Sequence, residues 1–527
     1  MKLTRKITGV ILLALAMLIS MATAAFATDI TIEGGVEGSE YAAYQLLGAT
    51  DGGDGKYAYT LNDKYTAILQ SVTGKTEQAD IVAYIEALTT ADAIQNFANS
   101  VYEAIVDGGI VADATTANDV FANVSQGYYL IAETKLGNDQ DTFSLVMLDT
   151  AGQENVTVST KEGKPTVEKK IEEKNDSTGV SSWGDHADYD IGDSINYRIT
   201  GTVSSKYAEY KSYYYSFVDT MDAGLTYNGD AKVYVVNGDS KVEVTEQFVI
   251  TADTAANSFT VTSNLKELTG VTVNASTEIV VEYSATLNEN ALHGTPGNEN
   301  NVYLEYENSP YHEADGDNNP TTPNKPGEDT PEDDTDGPSS TPKDVNIVFT
   351  FKAAVNKTDK DGAALAGAGF TLYKEIYTPA SEGVEENYAW VKVGTEITGV
   401  TTFNFLGLDA GKYKLEETTV PAGYNKCNDI VFEVVSSYDK TVDPPVLTGI
   451  SVKNSDGEVV SDDEGEASFA VVLAEGAVST DVVNLTGSEL PGTGGIGTTI
   501  FYVLGGILLV VGVVALVAKK RMSGSDN

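Results

Sequence analysis

The chain of 527 residues holds a single cysteine, Cys427, so no intramolecular disulfide can form. Any covalent staple has to come from other chemistry. Histidine is nearly as scarce: His186, His293 and His312 lie far apart and show no metal-ligand spacing. No metal or cofactor site is read from the sequence. Basic residues are few, with 33 Lys and Arg against 78 Asp and Glu, for a formal net charge of −45. Such a chain repels phosphates, which excludes nucleic acid as a partner. It suits a solvated extracellular surface, where acidic side chains oppose association. No Ser/His/Asp or Cys/His arrangement has the local context of a nucleophilic site, so no multiple-turnover enzyme is read. Gly492, Gly494 and Gly497 fit G-x-G-x-x-G, but that fingerprint needs a strand before it and a sheet-packed helix after it. The match is accidental.

Long apolar runs occur only near the two ends. Lys2, Arg5 and Lys6 precede an apolar stretch from Ile7 to Ile19, and Ala25-Phe26-Ala27 supplies small residues for cleavage. Residues 1–27 therefore read as a secretory signal peptide. At the other end, residues 495–518 are long and apolar enough to span a bilayer, and Lys519, Lys520 and Arg521 form a cytoplasmic basic tail over 519–527. Just before the span stands Leu490-Pro491-Gly492-Thr493-Gly494. The arrangement resembles the LPXTG sorting signal of Gram-positive surface proteins. The resemblance implies that a sortase cuts between Thr493 and Gly494 and leaves Thr493 as an acyl donor for an amine.

Between these ends, short runs rich in Val, Ile, Thr, Tyr and Phe alternate with Gly/Asn/Asp turns, the pattern of β-sandwiches. The expected fold is mainly β: tandem immunoglobulin-like sandwiches. One exception lies in the N-terminal domain, 28–164, where Ile81, Val82, Ile85 and Leu88, then Ile94, Phe97, Val101 and Ile105, follow helical spacing. A middle sandwich is expected over 165–312. Residues 313–343 turn to Asp, Glu, Pro and Thr with almost no large apolar side chain, and read as an acidic linker or exposed loop. A C-terminal sandwich follows over 344–488, and the sorting segment over 489–494.

The C-terminal sandwich carries the most specific motifs. Lys357-Thr358-Asp359, Leu365 to Ala368 and Phe370 to Tyr373 resemble the opening of a CnaB-type domain, the immunoglobulin-like module of Gram-positive adhesins and pilins. Tyr413, Leu415, Glu417 and Thr418 resemble its E-box, and Val482-Val483-Asn484 its last strand. The resemblance implies an amide bond between Lys357 and Asn484, promoted by Glu417. Strand alternation supports the placement, because Val345, Ile347, Phe349, Phe351, Ala353, Val355 and Lys357 would share one face while Lys352 points out. Burial lowers a lysine pKa and raises that of Glu. The neutral amine is then a nucleophile, and the protonated acid can polarise the Asn carbonyl and move protons.

The middle sandwich repeats the pattern. Val167, Lys169 and Ile171 share a face, as do Val302, Leu304, Tyr306 and Asn308. Phe217-Val218-Asp219 resembles the strand that carries the catalytic Asp in the middle domain of pilins. A Lys169–Asn308 bond promoted by Asp219 is expected, with Lys170 and Asn301 as the register-shifted alternatives. The N-terminal domain has a partial E-box around Glu133, but its opening strand, Asp29 to Gly34, holds no lysine. No bond of this kind is expected there, and Glu133 is read as structural.

Val156, Val158 and Lys161 fit V-x-V-x-x-K, which resembles the pilin motif whose lysine receives the next subunit's Thr. The motif's usual Y-P-K-N is Ser159-Thr160-Lys161-Glu162 here, so Lys164 stays open as the alternative acceptor. In sum the chain resembles LPXTG-anchored major pilins. That resemblance implies a structural backbone subunit, polymerised head-to-tail through Thr493 and Lys161, exported and finally joined to the cell wall. The implied partners are other copies of itself, a class C pilus sortase, a housekeeping sortase, accessory pilins and peptidoglycan. A monomeric wall-anchored adhesin or an accessory pilin is the alternative reading.

Overall fold

The computed structural model describes residues 27–159, 163–310, 320, 321, 325, 337–381, 385–462 and 468–486. Residues 1–26 of the expected leader, Lys161, the sorting pentapeptide and the apolar run that follows it lie outside the described residues, while Ala27, the leader's expected last residue, is described. Among the described residues no helix is long and apolar enough to cross a membrane. The described residues divide into two compact units: those within 27–174, 181–350 and 438–447 form the first, and those within 175–180, 351–437 and 448–486 the second. Both are mainly β, as the turn-punctuated sequence implies.

In the first unit, a three-stranded sheet pairs Ala27–Glu33 with Val120–Ser125 on one side and, in parallel, with Asn155–Ser159 on the other. A second sheet is centred on Glu40–Gly53 and Gly127–Lys135. The helical periodicity produces helices at Gln78–Glu86 and Ala91–Asp107, and a further helix spans Thr66–Thr73. Thr90 caps the longest, its hydroxyl accepting from the amide of Ala93 at 3.2 Å. Phe97, Val101 and Ile105, one turn apart, bury against Leu46, Leu69 and Leu130. Burial of each such side chain contributes ~1.5–3 kcal/mol. The helix beginning at Thr66 ends at Gly74, whose φ of 65° is the left-handed conformation that glycine adopts without a Cβ clash.

The rest of the first unit is a sandwich of two seven-stranded sheets. Val167–Lys174 pairs with Ser194–Thr202 in one, while Tyr214–Met221 pairs with Asn298–Tyr306 in the other. Between the sheets lies a core rich in tyrosine, with Tyr197, Tyr213, Tyr215, Tyr283 and Tyr306 all buried. The alternation read from Val345 to Lys357 belongs to two strands. Asp344–Phe349 pairs with Asn298–Tyr306 in the first unit, and a new strand, Phe351–Asp359, opens the second.

The second unit is a sandwich of two five-stranded sheets. Phe351–Asp359 runs between Thr402–Leu408, antiparallel, and Ala477–Asn484, parallel. Its burial alternates along the strand: Phe351, Ala353, Val355 and Lys357 are buried. In the facing sheet, Gly411–Thr419 pairs with Gly369–Thr378. The last strand thus lies beside the first, which brings residues more than a hundred positions apart into one layer.

Candidate functional site

The second unit places a lysine, a carboxylic acid and an asparagine of its sandwich core together. Lys357, Glu417 and Asn484 are each 1 % exposed. The parallel register sets Lys357 opposite Val482 and Asp359 opposite Asn484, so the amine lies near the end of the last strand. The amine donates to the carbonyl oxygens of Val482 at 2.8 Å and Thr358 at 3.1 Å. Asn484 Nδ2 donates to Glu417 Oε1 at 2.7 Å, and the amide of Cys427 donates to Glu417 Oε2 at 2.8 Å. Asn484 Oδ1 is buried without a hydrogen-bond partner. Burial lowers the Lys357 pKa, against the opposing charge of Glu417. It also pushes the Cys427 thiol up to about 12, assisted by Glu417, so this thiol is not a thiolate nucleophile at neutral pH.

The sandwich of the first unit holds a second set. Lys169 and Asp219 are wholly buried, with Nζ donating to Asp219 Oδ2 at 2.6 Å. The amine also makes a short hydrogen bond to Oδ1 of an asparagine, and that asparagine is Asn300. Tyr197 and Tyr283 stack with centroids 5.1 Å apart and present their rings to the amine at 5.3 and 5.7 Å. Burial lowers the Lys169 pKa to about 8, against the pull of Asp219, and raises that of Asp219 itself. Removing the pair from water thus favours the neutral amine and the protonated acid, the states that amide formation needs.

Asn308 is not beside Lys169. The strand ends at Tyr306, and Asn308 lies eight residues beyond Asn300, ~26 Å of extended chain. Its side chain donates to the carbonyl of Gly337 at 2.8 Å and to Ser339 at 3.2 Å, and its carbonyl accepts from the amide of Phe143. The alternation was legible, since Asn300, Val302, Leu304, Tyr306 and Asn308 share a parity. What the sequence did not show is the register: Asp219 pairs with Val302 and Met221 with Asn300, which selects the amide near the strand's start. Lys170 faces away, in ion pairs with Asp185 at 2.6 Å and Glu168 at 3.1 Å, and Asn301 Nδ2 donates to Glu299.

In the N-terminal part, Glu133 is 4 % exposed, and its carboxylate accepts from the amide of Ser144 at 3.2 Å. Burial pushes its pKa up to about 7. Lys164 Nζ lies 2.5 Å from Asp141 Oδ1. Lys161 lies outside the described residues, as do Leu490, Pro491, Gly492, Thr493 and Gly494.

Residues 191–310 match the Gram-positive pilin backbone subunit 2, Cna-B-like domain, and residues 351–447 match the SpaA prealbumin-like fold domain. The trypsin-resistant surface T6 protein of Streptococcus pyogenes serotype M6 is 25% identical over 381 residues, which cover 63% of this chain and 65% of that protein. The match therefore spans just under two thirds of that relative's length. The solved structure of the T6 backbone pilin of serotype M6 Streptococcus pyogenes superposes with a TM-score of 0.52 at 19% identity, covering 88% of this chain and 98% of that one. Domain matches and relative point the same way: the chain contains a Cna-B-like pilin backbone domain and a prealbumin-like fold domain, and it is similar to Gram-positive backbone pilins.

Proposed function

We propose that this chain is the backbone subunit of a sortase-assembled pilus at the cell surface, stabilised by two internal lysine–asparagine amide bonds. The observation that carries the reading is the recurrence, in two successive sandwiches, of a buried lysine beside a buried acid and a buried asparagine amide. Left unreacted, a buried charged pair of this kind is costly to desolvate. Reaction removes the charge. The amine of Lys357 joins Cγ of Asn484, and that of Lys169 joins Cγ of Asn300; each bond releases one ammonia. The acids Glu417 and Asp219 take part once, so neither set turns over.

Polymerisation is read from the two ends of the subunit. A class C sortase would hold Thr493 as an acyl-enzyme, and Lys161 of another copy would resolve it. The contact is heterologous and propagates into a fibre. Accessory pilins share the fibre, and a housekeeping sortase joins its base to peptidoglycan. Lys164 is the weaker acceptor because its amine is engaged by Asp141. Wall extracts separated on denaturing gels test this: wild type and Lys164→Ala give a high-mass ladder, and Lys161→Ala gives only monomer. A ladder that persists in both variants overturns the acceptor assignment. No ladder in wild type overturns the backbone reading in favour of an adhesin.

A further inference from the structure

The two sets differ in how the acid reaches the amide. Glu417 accepts directly from Asn484 Nδ2. Among the described residues, no hydrogen bond joins Asp219 to Asn300. Asp219 Oδ1 has no partner, and Oδ2 is shared by Lys169 Nζ at 2.6 Å and the hydroxyl of Tyr283 at 2.9 Å. Asn300 Nδ2 in turn donates to that same hydroxyl at 2.9 Å. The four groups close a ring: amine, carboxylate, phenol and amide, with the amide oxygen returning to the amine. Tyr283 is wholly inside the core, and burial with the nearby Asp219 charge raises its pKa well above the ordinary phenol value. A phenolate is therefore no intermediate, and the hydroxyl passes a proton only by giving one as it takes one.

We propose that Tyr283 is a catalytic residue of the middle-domain cross-link, the relay that carries a proton from Asp219 to the departing amide nitrogen of Asn300. This rests on the reading that Lys169 and Asn300 become joined. Lys169 first gives one proton to Asp219 and is then a neutral amine. Nζ attacks Cγ of Asn300, whose oxygen gains the electron pair, and the amide nitrogen becomes tetrahedral and basic. It now accepts where it formerly donated. Tyr283 delivers its hydroxyl proton to Nδ2 and is refilled by Asp219, which recovers a proton from the attacking Nζ. The Cγ–Nδ2 bond breaks, and ammonia leaves. Asp219 is one methylene shorter than Glu417, and the phenol spans the gap that this leaves.

The test is the rate of ammonia loss as the newly made full chain folds for the first time after cell-free synthesis, followed by peptide mapping of both cross-links. Tyr283→Phe keeps the ring that stacks on Tyr197 and removes only the hydroxyl. The Lys169–Asn300 link should then form about 100-fold more slowly, while Lys357–Asn484 forms at the wild-type rate in the same molecules. Adding Asp219→Glu to Tyr283→Phe should recover much of the lost rate, because the longer acid reaches the amide itself. Wild-type rates at both links in Tyr283→Phe overturn the relay. A slow Tyr283→Phe that the longer acid does not rescue also overturns it, as a packing effect. If wild type itself never links Lys169 to Asn300, the underlying reading fails instead.

Discussion

Glu417 in the second unit and Asp219 in the first serve the same kind of cluster, yet each grips a different partner. Glu417 holds the asparagine amide, while Lys357 is left to backbone carbonyls. Asp219 holds the lysine, while the asparagine is held by a phenol. An acid must serve both the amine that loses protons and the nitrogen that gains one, and one carboxylate need not touch both beforehand. Side-chain length decides which contact is made directly. The neighbours then make up the rest: the Cys427 amide orients Glu417, and Tyr283 extends Asp219.

The largest effect should come from Glu417→Ala. It abolishes the Lys357–Asn484 link, so the intact chain retains one more ammonia than wild type. A cross-link over a loop of this length restricts the unfolded chain by about 5 kcal/mol, and the variant also leaves the Lys357 amine buried without its acid. Thermal unfolding should show the second unit melting first, with the first unit unchanged. If both units melt together, the clusters are not independent.

Asn300→Ala comes next. It should cost one ammonia and about 5 kcal/mol from the same chain-entropy argument, but Lys169 keeps Asp219 as its partner. Asn308→Ala should release both ammonia molecules as wild type does, and cost about 1–3 kcal/mol through its lost hydrogen bonds to Gly337 and Ser339. Intact mass separates the two. Equal mass deficits in Asn300→Ala and wild type would remove Asn300 from the chemistry.

Glu133 sharpens the comparison as an acid in a partial E-box that, among the described residues, hydrogen-bonds no lysine. Its pKa rises from an ordinary 4.5 to about 7, so between these values the folded state holds more protons than the unfolded one. The stability it confers is complete below about pH 4.5 and is lost as pH climbs through about 7. Glu133→Gln should flatten that dependence and stabilise the N-terminal part above pH 7 by up to about 3 kcal/mol. Denaturant unfolding at pH 4.5 and pH 8 checks it. An unchanged pH dependence would mean that Glu133 does not hold its proton.

Much of this was legible in the chain. Phe351 to Lys357 alternates so regularly that the inward lysine follows from strand period alone, and helical spacing at Phe97, Val101 and Ile105 marks a core-facing helix. The E-box segment located Glu417, and the Asp219 strand was identified in the same way. Asn300 was hidden because parity leaves every second residue of Asn298–Tyr306 and beyond equivalent. Only the pairing of Val302 with Asp219 breaks the tie. Tyr283 was hidden for another reason: in a core with so many tyrosines, nothing local distinguishes the one whose hydroxyl meets the Asn300 amide.

By itself, the sequence determined the kind of chemistry available. One cysteine leaves no intramolecular disulfide, and period-two burial puts lysines where water cannot solvate them. The tertiary structure alone decided which groups meet. A strand's faces are set by local stereochemistry, but its register against strands more than a hundred residues away is set by packing. That register chose Asn300 over Asn308 and brought the Tyr283 hydroxyl between acid and amide.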